Sequence, residues 1–282
     1  MFSVVILTLN AEATLPGCLA SVRGCDDILV LDSGSTDRTP EIARSHGVRW
    51  LTHPFESFSL QRTFADRHGG CRHPWAFHLD ADEEFTPELF SECLNWGDPG
   101  HLDGARAAPR MMYGKKWIRF STDYPVPQAR LVHRGRFRWI QAGHGQQESP
   151  DMRMGRLRSD YVHHFMAHGE GDWLRKHRTY ARLEAEQHLS TPAGGVMEGL
   201  FSGDRIRRRR ALKRLSYHLP FRPSLRLLYQ YVLRGGFLDG AHGWRYCRLL
   251  ARYEAFASEA LREMKSLRLK SERIGSLKQP LQ

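Results

Sequence analysis

Asp80 and Asp82 stand two residues apart, directly after the short apolar run Trp75-Ala76-Phe77-His78-Leu79. Two carboxylates at the C-terminal end of a buried strand offer hard oxygen ligands. Such ligands suit Mg²⁺ or Mn²⁺, ions that usually complete their coordination with substrate phosphates. A lone Asp-x-Asp is as often a solvated loop pair, but a second loop upstream shifts the balance. Asp32-Ser33-Gly34-Ser35-Thr36-Asp37 also closes an apolar run, Ile28-Leu29-Val30-Leu31. In a loop rich in Ser, Gly and Asp, Asp32 can accept hydrogen bonds from a base or ribose, and Gly34 permits close backbone approach. Taken alone, this loop reads as a turn whose Ser and Asp cap backbone donors. With the Asp-x-Asp after a later strand, it points to a nucleotide–metal site.

The elements that must position these residues follow from periodicity. Val4-Val5-Ile6-Leu7, Ile28 to Leu31, Val48 to Leu51 and Trp75 to Leu79 are near-continuous apolar runs, as expected of strands covered on both faces. Between them lie helical stretches: Leu15, Leu19 and Val22 share one face, Pro40 suits a first helical turn, and residues 57 to 68 and the segment opened by Pro87 continue the pattern. Strands alternating with helices imply βαβ units and a mainly parallel sheet, whose right-handed crossovers gather alternate loops at one edge. Asn10, Asp32, Asp37, Asp80 and Asp82 should therefore converge.

Four signatures carry a resemblance: Ile6 to Glu12, Leu31 to Thr39, Ser59-Leu60-Gln61-Arg62, and His78 to Glu84. In order and separation they are similar to the catalytic domain of family 2 glycosyltransferases, which have the GT-A fold. Later segments resemble a bacterial subgroup that builds lipopolysaccharide core and other surface glycans: Tyr113 to Ile118, Gln128-Ala129-Arg130-Leu131-Val132, Lys176 to Tyr180 and Gly236 to Gly240. The resemblance implies an inverting transfer of a sugar from a nucleotide diphosphate sugar, a UDP-sugar first of all, to an acceptor hydroxyl on a lipid-linked or lipopolysaccharide-core glycan. It assigns Thr8, Asn10, Glu12, Asp32, Gly34, Asp37, Arg62 and Asp80 to the nucleotide-sugar pocket. Asp80 and Asp82 would hold Mg²⁺ or Mn²⁺, with His164 a pocket residue first and a third ligand second. Glu148 is the expected general base and Asp151 the second choice, each weighed against an exposed loop acid. Thr63 departs from the family, where Asn often follows the Gln-Arg pair.

The chain has 282 residues and a net charge of +11, all of it from the second half: residues 1–150 carry 16 Lys+Arg and 18 Asp+Glu, residues 151–282 carry 26 and 13. The densest cluster is Arg205, Arg207 to Arg210, Lys213 and Arg214. It accompanies no nucleic-acid motif, so no nucleic acid is expected. Two apolar and aromatic stretches with basic flanks, Leu225 to Leu233 and Trp244 to Phe256, suit either an anionic membrane surface or core packing. No run is long enough to span a bilayer, no signal peptide is read, and five cysteines without metal spacing suit a reducing compartment. The expectation is a GT-A α/β catalytic domain over 1–200 and a basic helical region over 201–282 with a frayed tail from Lys265. The location expected is cytoplasmic, peripheral on the inner membrane face. Residues 104 to 165 should add an antiparallel extension and the acceptor wall, with Trp117, Tyr124, Trp139 and Trp173 as sugar platforms. The alternatives are a nucleotidyltransferase-type enzyme and a basic nucleic-acid-binding protein.

Overall fold

The computed structural model describes residues 1–142, 145–190, 196–201, 203, 208, 211–212, 215–217 and 219–276. They form two compact units, Met1–His168 and Gly169–Gln282. The first opens with β1 (Ser3–Thr8), α1 (Leu15–Ser21), β2 (Ile28–Asp32), α2 (Thr39–Ser45), β3 (Arg49–Thr52), α3 (Phe58–His68), β4 (Trp75–Asp80), β5 (Glu83–Phe85) and α4 (Pro87–Leu94). The four expected runs are all strands. The expected extension follows: β6 (Gly104–Ala107), β7 (Pro109–Tyr113), β8 (Lys116–Trp117), β9 (Gln128–His133), β10 (Trp139–Ala142), β11 (Gly145–Glu148), β12 (Met154–Arg156) and β13 (Tyr161–His163).

The main sheet runs β12-β6-β9-β4-β1-β2-β3. Strands β1 to β4 are mutually parallel, and β9 enters antiparallel between β4 and β6. A second sheet, β5-β13-β7-β8, and the hairpin β10-β11 complete the unit. Strand β1 shows why the sheet holds together. Val4 and Ile6 face a cluster with Leu15, Leu19 and Leu89, while Val5 and Leu7 face Leu29, Leu31 and Ala65. Helices cover both faces, and each such side chain contributes roughly 1.5–3 kcal/mol on burial. The register aligns Thr8 with Asp32 and Leu7 with Asp80, so the C-terminal ends of β1, β2 and β4 share one edge.

The second unit is helical: α5 (Gly169–Ser190), α6 (Val196–Leu200), α7 (Arg222–Leu228), a π turn (Tyr229–Leu233), a 3₁₀ turn (Gly236–Asp239) and α8 (Gly240–Ser276). Trp173, Ala181 and Ala185 of α5 and Cys247, Leu249, Ala257 and Leu261 of α8 are buried, and α5 and α8 are in contact. Tyr253 donates to Glu184 at 2.5 Å. Helix α5 therefore belongs to the second unit, whereas the boundary expected at 200 placed it with the first. The tail expected to fray from Lys265 is helical to Ser276. Apart from Arg208, the arginine cluster lies outside the described residues, as do Gly143 and His144. All five cysteines are free thiols.

Candidate active site

The loops after β1 and β2 are laced together by the side chains expected to line the pocket. Asp32 accepts from Thr8 Oγ1 at 2.9 Å and from the backbone N–H groups of Gly34 and Ser35 at 3.0 and 2.8 Å. Asn10 accepts from Thr36 N at 2.9 Å, Glu12 from Arg38 N at 3.1 Å, and Asp37 from Glu12 N and Thr39 N, each at 3.0 Å. Gly34 holds φ = 96° with open space where a Cβ would stand, so its backbone conformation is the constraint there. In the described conformation these groups cap each other's backbone, as the turn reading anticipated. Together they fix a rigid loop pair at the sheet edge.

Beside it lies a buried charge cluster centred on Asp80. Arg62 is fully buried and donates through Nη2 to Asp80 Oδ1 at 2.7 Å, while its Nε and Nη1 have no hydrogen-bond partner among the described residues. Arg130, also buried, lies 3.6 Å from Asp80 Oδ2, donates to Glu83 Oε1 at 2.6 Å, and reaches the Tyr161 hydroxyl at 3.1 Å. Glu83 closes the ring by accepting from Asp80 N at 2.9 Å. Burial pushes Glu83 up, only partly opposed by Arg130, to about 7. Burial also works against ionising Asp80, but Arg62 and Arg130 outweigh it and hold its carboxyl below the usual range.

Asp82 points elsewhere. Its Oδ2 lies 3.5 Å from His163 Nε2. Burial alone would depress that imidazole, but the Asp82, Glu83 and Asp80 charges raise it to about 9. His164, the histidine expected at the metal, turns its Nε2 to Glu84 Oε1 at 3.2 Å and gives its backbone N–H to the Asp82 carbonyl at 2.8 Å. No group of three or more His, Cys, Asp or Glu among the described residues has a metal-site arrangement. Both Asp80 oxygens face guanidinium groups, whereas Asp82 meets none among the described residues. One such protein oxygen donor fits Mg²⁺ or Mn²⁺ bound largely through substrate phosphates, and does not suit a closed all-protein cage.

Glu148 and Asp151 are not drawn into this cluster by any described contact. Glu148 Oε1 accepts from Arg106 Nε at 2.9 Å, and Asp151 is exposed, paired with Arg138 and bonded by Ser149 at 2.6 Å. Trp139 is buried and donates to Asp66 Oδ2 at 3.0 Å, and Trp173 is buried against His177, so neither is a sugar platform. Trp117 and Tyr124 remain half-buried, 5.2 Å apart. Sequence reasoning assigned no role to Arg130 and passed over His163. The signal for Arg130 was a lone charge inside the apolar strand Ala129 to Val132, which burial obliges to find a partner.

The described site lies almost wholly inside residues 3–175, which match the family described as Glycosyl transferase family 2. A lipopolysaccharide core biosynthesis glycosyltransferase, LpsC of Rhizobium meliloti, is 27% identical over 88% of this chain and 90% of its own. Among solved structures, S. aureus TarS is 14% identical over 93% of this chain and 91% of that one, with a TM-score of 0.43. The glucosyl-3-phosphoglycerate synthase of Mycobacterium tuberculosis, solved with Mn²⁺ and UDP-glucose, is 23% identical over 39% and 44%, with a TM-score of 0.33. The profile spans more than half of the chain and takes in the strand ends, both laced loops and the Asp80 cluster: the chain belongs to glycosyltransferase family 2 and is a nucleotide-sugar-using transferase of the GT-A type.

Proposed function

We propose that this enzyme transfers a sugar, with inversion, from a UDP-sugar to a hydroxyl of a lipopolysaccharide-core or related lipid-linked glycan. The observation that carries the reading is the arrangement of Asp80 between two buried arginines, beside an Asp82 that no guanidinium engages among the described residues. The acceptor class is supported by the likeness to the Rhizobium meliloti core transferase along most of both chains.

Asp82 would hold Mg²⁺ or Mn²⁺ together with the donor's phosphates. When bound, the cation acts as a Lewis acid on the departing diphosphate. Arg62, fully buried behind the same edge, adds a fixed positive field suited to developing phosphate charge. Asp80, clamped by Arg62 and Arg130, stays ionised and fixes the loop that carries Asp82. Glu148 serves as base: Arg106 holds one carboxylate oxygen, and the other, which has no partner among the described residues, takes the acceptor proton as the hydroxyl attacks. Asp151 is exposed and paired with Arg138, which disfavours it for that role.

The test is calorimetry of UDP with and without Mn²⁺, on wild type and Asp82→Ala, alongside turnover of Glu148→Gln. Metal-dependent binding lost in Asp82→Ala, and donor binding kept without turnover in Glu148→Gln, are the expected results. Full turnover by Glu148→Gln would remove the base assignment. Metal-independent binding that survives Asp82→Ala would remove the cation site.

A further inference from the structure

The segment from Leu219 into α8 is built inside out. On the helical stripe 222, 226, 230, the inward positions are polar: Arg222 is 6% exposed and Gln230 0%. Arg222 is held there by Glu254 at 2.7 Å and lies 3.7 Å over the Tyr217 ring. Asp239, the segment's one acid up to Leu250, is also buried. The outward stripe is apolar: Phe221, Leu225, Leu228, Val232, Leu233 and Phe237 are all exposed, Phe221 by 81% and Leu233 by 72%. A helix in contact with water shows the reverse pattern, and a contiguous exposed apolar face marks an interaction surface. The α8 stripe behaves in the ordinary way, with Cys247, Leu249, Ala257 and Leu261 buried, so the two stretches with the same sequence signature have different fates.

The face is held in shape and does not dangle. Gly235 adopts φ = 75°, and Gly236 packs so closely that a Cβ there would stand 2.7 Å from the Gln230 carbonyl and 3.0 Å from Cys247 Sγ. The π turn and the 3₁₀ turn therefore present Val232, Leu233 and Phe237 as one fixed ridge.

We propose that this ridge docks on an anionic bilayer surface, its apolar side chains at the headgroup–acyl boundary and its arginines against lipid phosphates. Charge complementarity selects that occupant. Between Leu219 and Leu250 there are five arginines, and Arg234, Arg245 and Arg248 are exposed, with no exposed acid among them. Tyr229 and Trp244, both partly exposed, are amphipathic residues suited to headgroup depth. A second copy of the same face would bring one arginine rim against another, which like charge disfavours. No described helix is long and apolar enough to cross a membrane, so the contact is with the surface. The proposal draws on the sugar-transfer reading only for its purpose, bringing a lipid-linked acceptor to the enzyme.

The experiment is flotation of the full chain with phosphatidylglycerol/phosphatidylethanolamine vesicles and with phosphatidylcholine vesicles. Wild type is compared with Phe221→Ser/Leu233→Ser/Phe237→Ser and with Arg234→Gln/Arg245→Gln/Arg248→Gln. Wild type should float with the anionic vesicles. The serine variant should lose about tenfold or more in partitioning, and the glutamine variant should lose the preference for anionic lipid. Absence of wild-type flotation at low salt overturns the proposal. So does unchanged partitioning of both variants, or a wild-type dimer that the serine variant abolishes while no form binds vesicles. UDP binding measured without vesicles reports on the sugar-transfer reading alone, so the two can fail separately.

Discussion

Arg130 has the most to lose of any side chain in the site. It and Glu83 are both buried, 2.6 Å apart, and Arg130 also supports Asp80 and the Tyr161 hydroxyl. Replacing it by Met leaves the buried Glu83 without its guanidinium, facing only the His163 ring 3.8 Å away, and breaking a buried pair from one side costs about 3–5 kcal/mol. Urea unfolding of Arg130→Met should show a loss of that order, with Arg130→Lys recovering part of it; a loss below about 1 kcal/mol would mean that the cluster relaxes around the change. His163 gives a second prediction. Its folded value of about 9 lies above the ordinary 6.5, so its proton adds stability that is fully present below 6.5 and lost as pH rises through about 9. The metal-free protein should therefore weaken between pH 7 and 9, and His163→Gln should flatten that limb. Because the imidazolium faces Asp82, added Mg²⁺ should drive the His163 value down, an effect readable by NMR titration of the ring. A value indifferent to Mg²⁺ would place the cation away from Asp82.

The loop pair after β1 and β2 behaves as one element. Asp37 accepts from Glu12 N, Thr39 N and Thr39 Oγ1, and thereby ties the β1 loop to the start of α2. Capping bonds of this kind contribute roughly 1 kcal/mol each. Asp37→Ala should cost about 1–2 kcal/mol and raise KM for the donor while leaving kcat within about twofold; a collapse of kcat at unchanged KM would mean that Asp37 touches the reacting groups. Much at this scale was legible in the sequence. The strands β1, β2 and β4 announce themselves because both faces are covered and nearly every position is apolar, while the half-buried edge strand β3 (Arg-Trp-Leu-Thr) is marked more weakly. The short strands β11 (Gly-Gln-Gln-Glu) and β12 (Met-Gly-Arg) have no such pattern, since their pairing is set by tertiary neighbours and not by their own side chains. The carboxylates of the site could be read from type and spacing. Their partners could not: Arg62 and Arg130 lie 18 and 50 residues from Asp80, on α3 and on the antiparallel β9. The choice between His163 and His164 depends on which face of a strand end each side chain leaves, and sequence adjacency hides it.

Across the molecule, the two units differ in charge as well as in fold. Residues 1–168 carry 19 Lys+Arg against 20 Asp+Glu, and residues 169–282 carry 23 against 11. The catalytic unit is thus close to neutral, and all the basic excess travels with the unit that bears the exposed ridge. This division separates two kinds of acceptor in an experiment. Surface attraction between exposed charges is screened over about 8 Å at physiological ionic strength. Transfer to an acceptor anchored in anionic vesicles should therefore fall as salt rises, chiefly through KM. Transfer to a soluble glycan fragment carrying the same hydroxyl should be nearly salt-independent, because the loops and the Asp80 cluster are buried or paired within the first unit. The Phe221→Ser/Leu233→Ser/Phe237→Ser variant should raise KM for the vesicle-bound acceptor about tenfold and leave kcat, donor KM and the soluble reaction unchanged. Equal losses on both acceptors would show that the ridge supports the catalytic unit and does not deliver it to a surface.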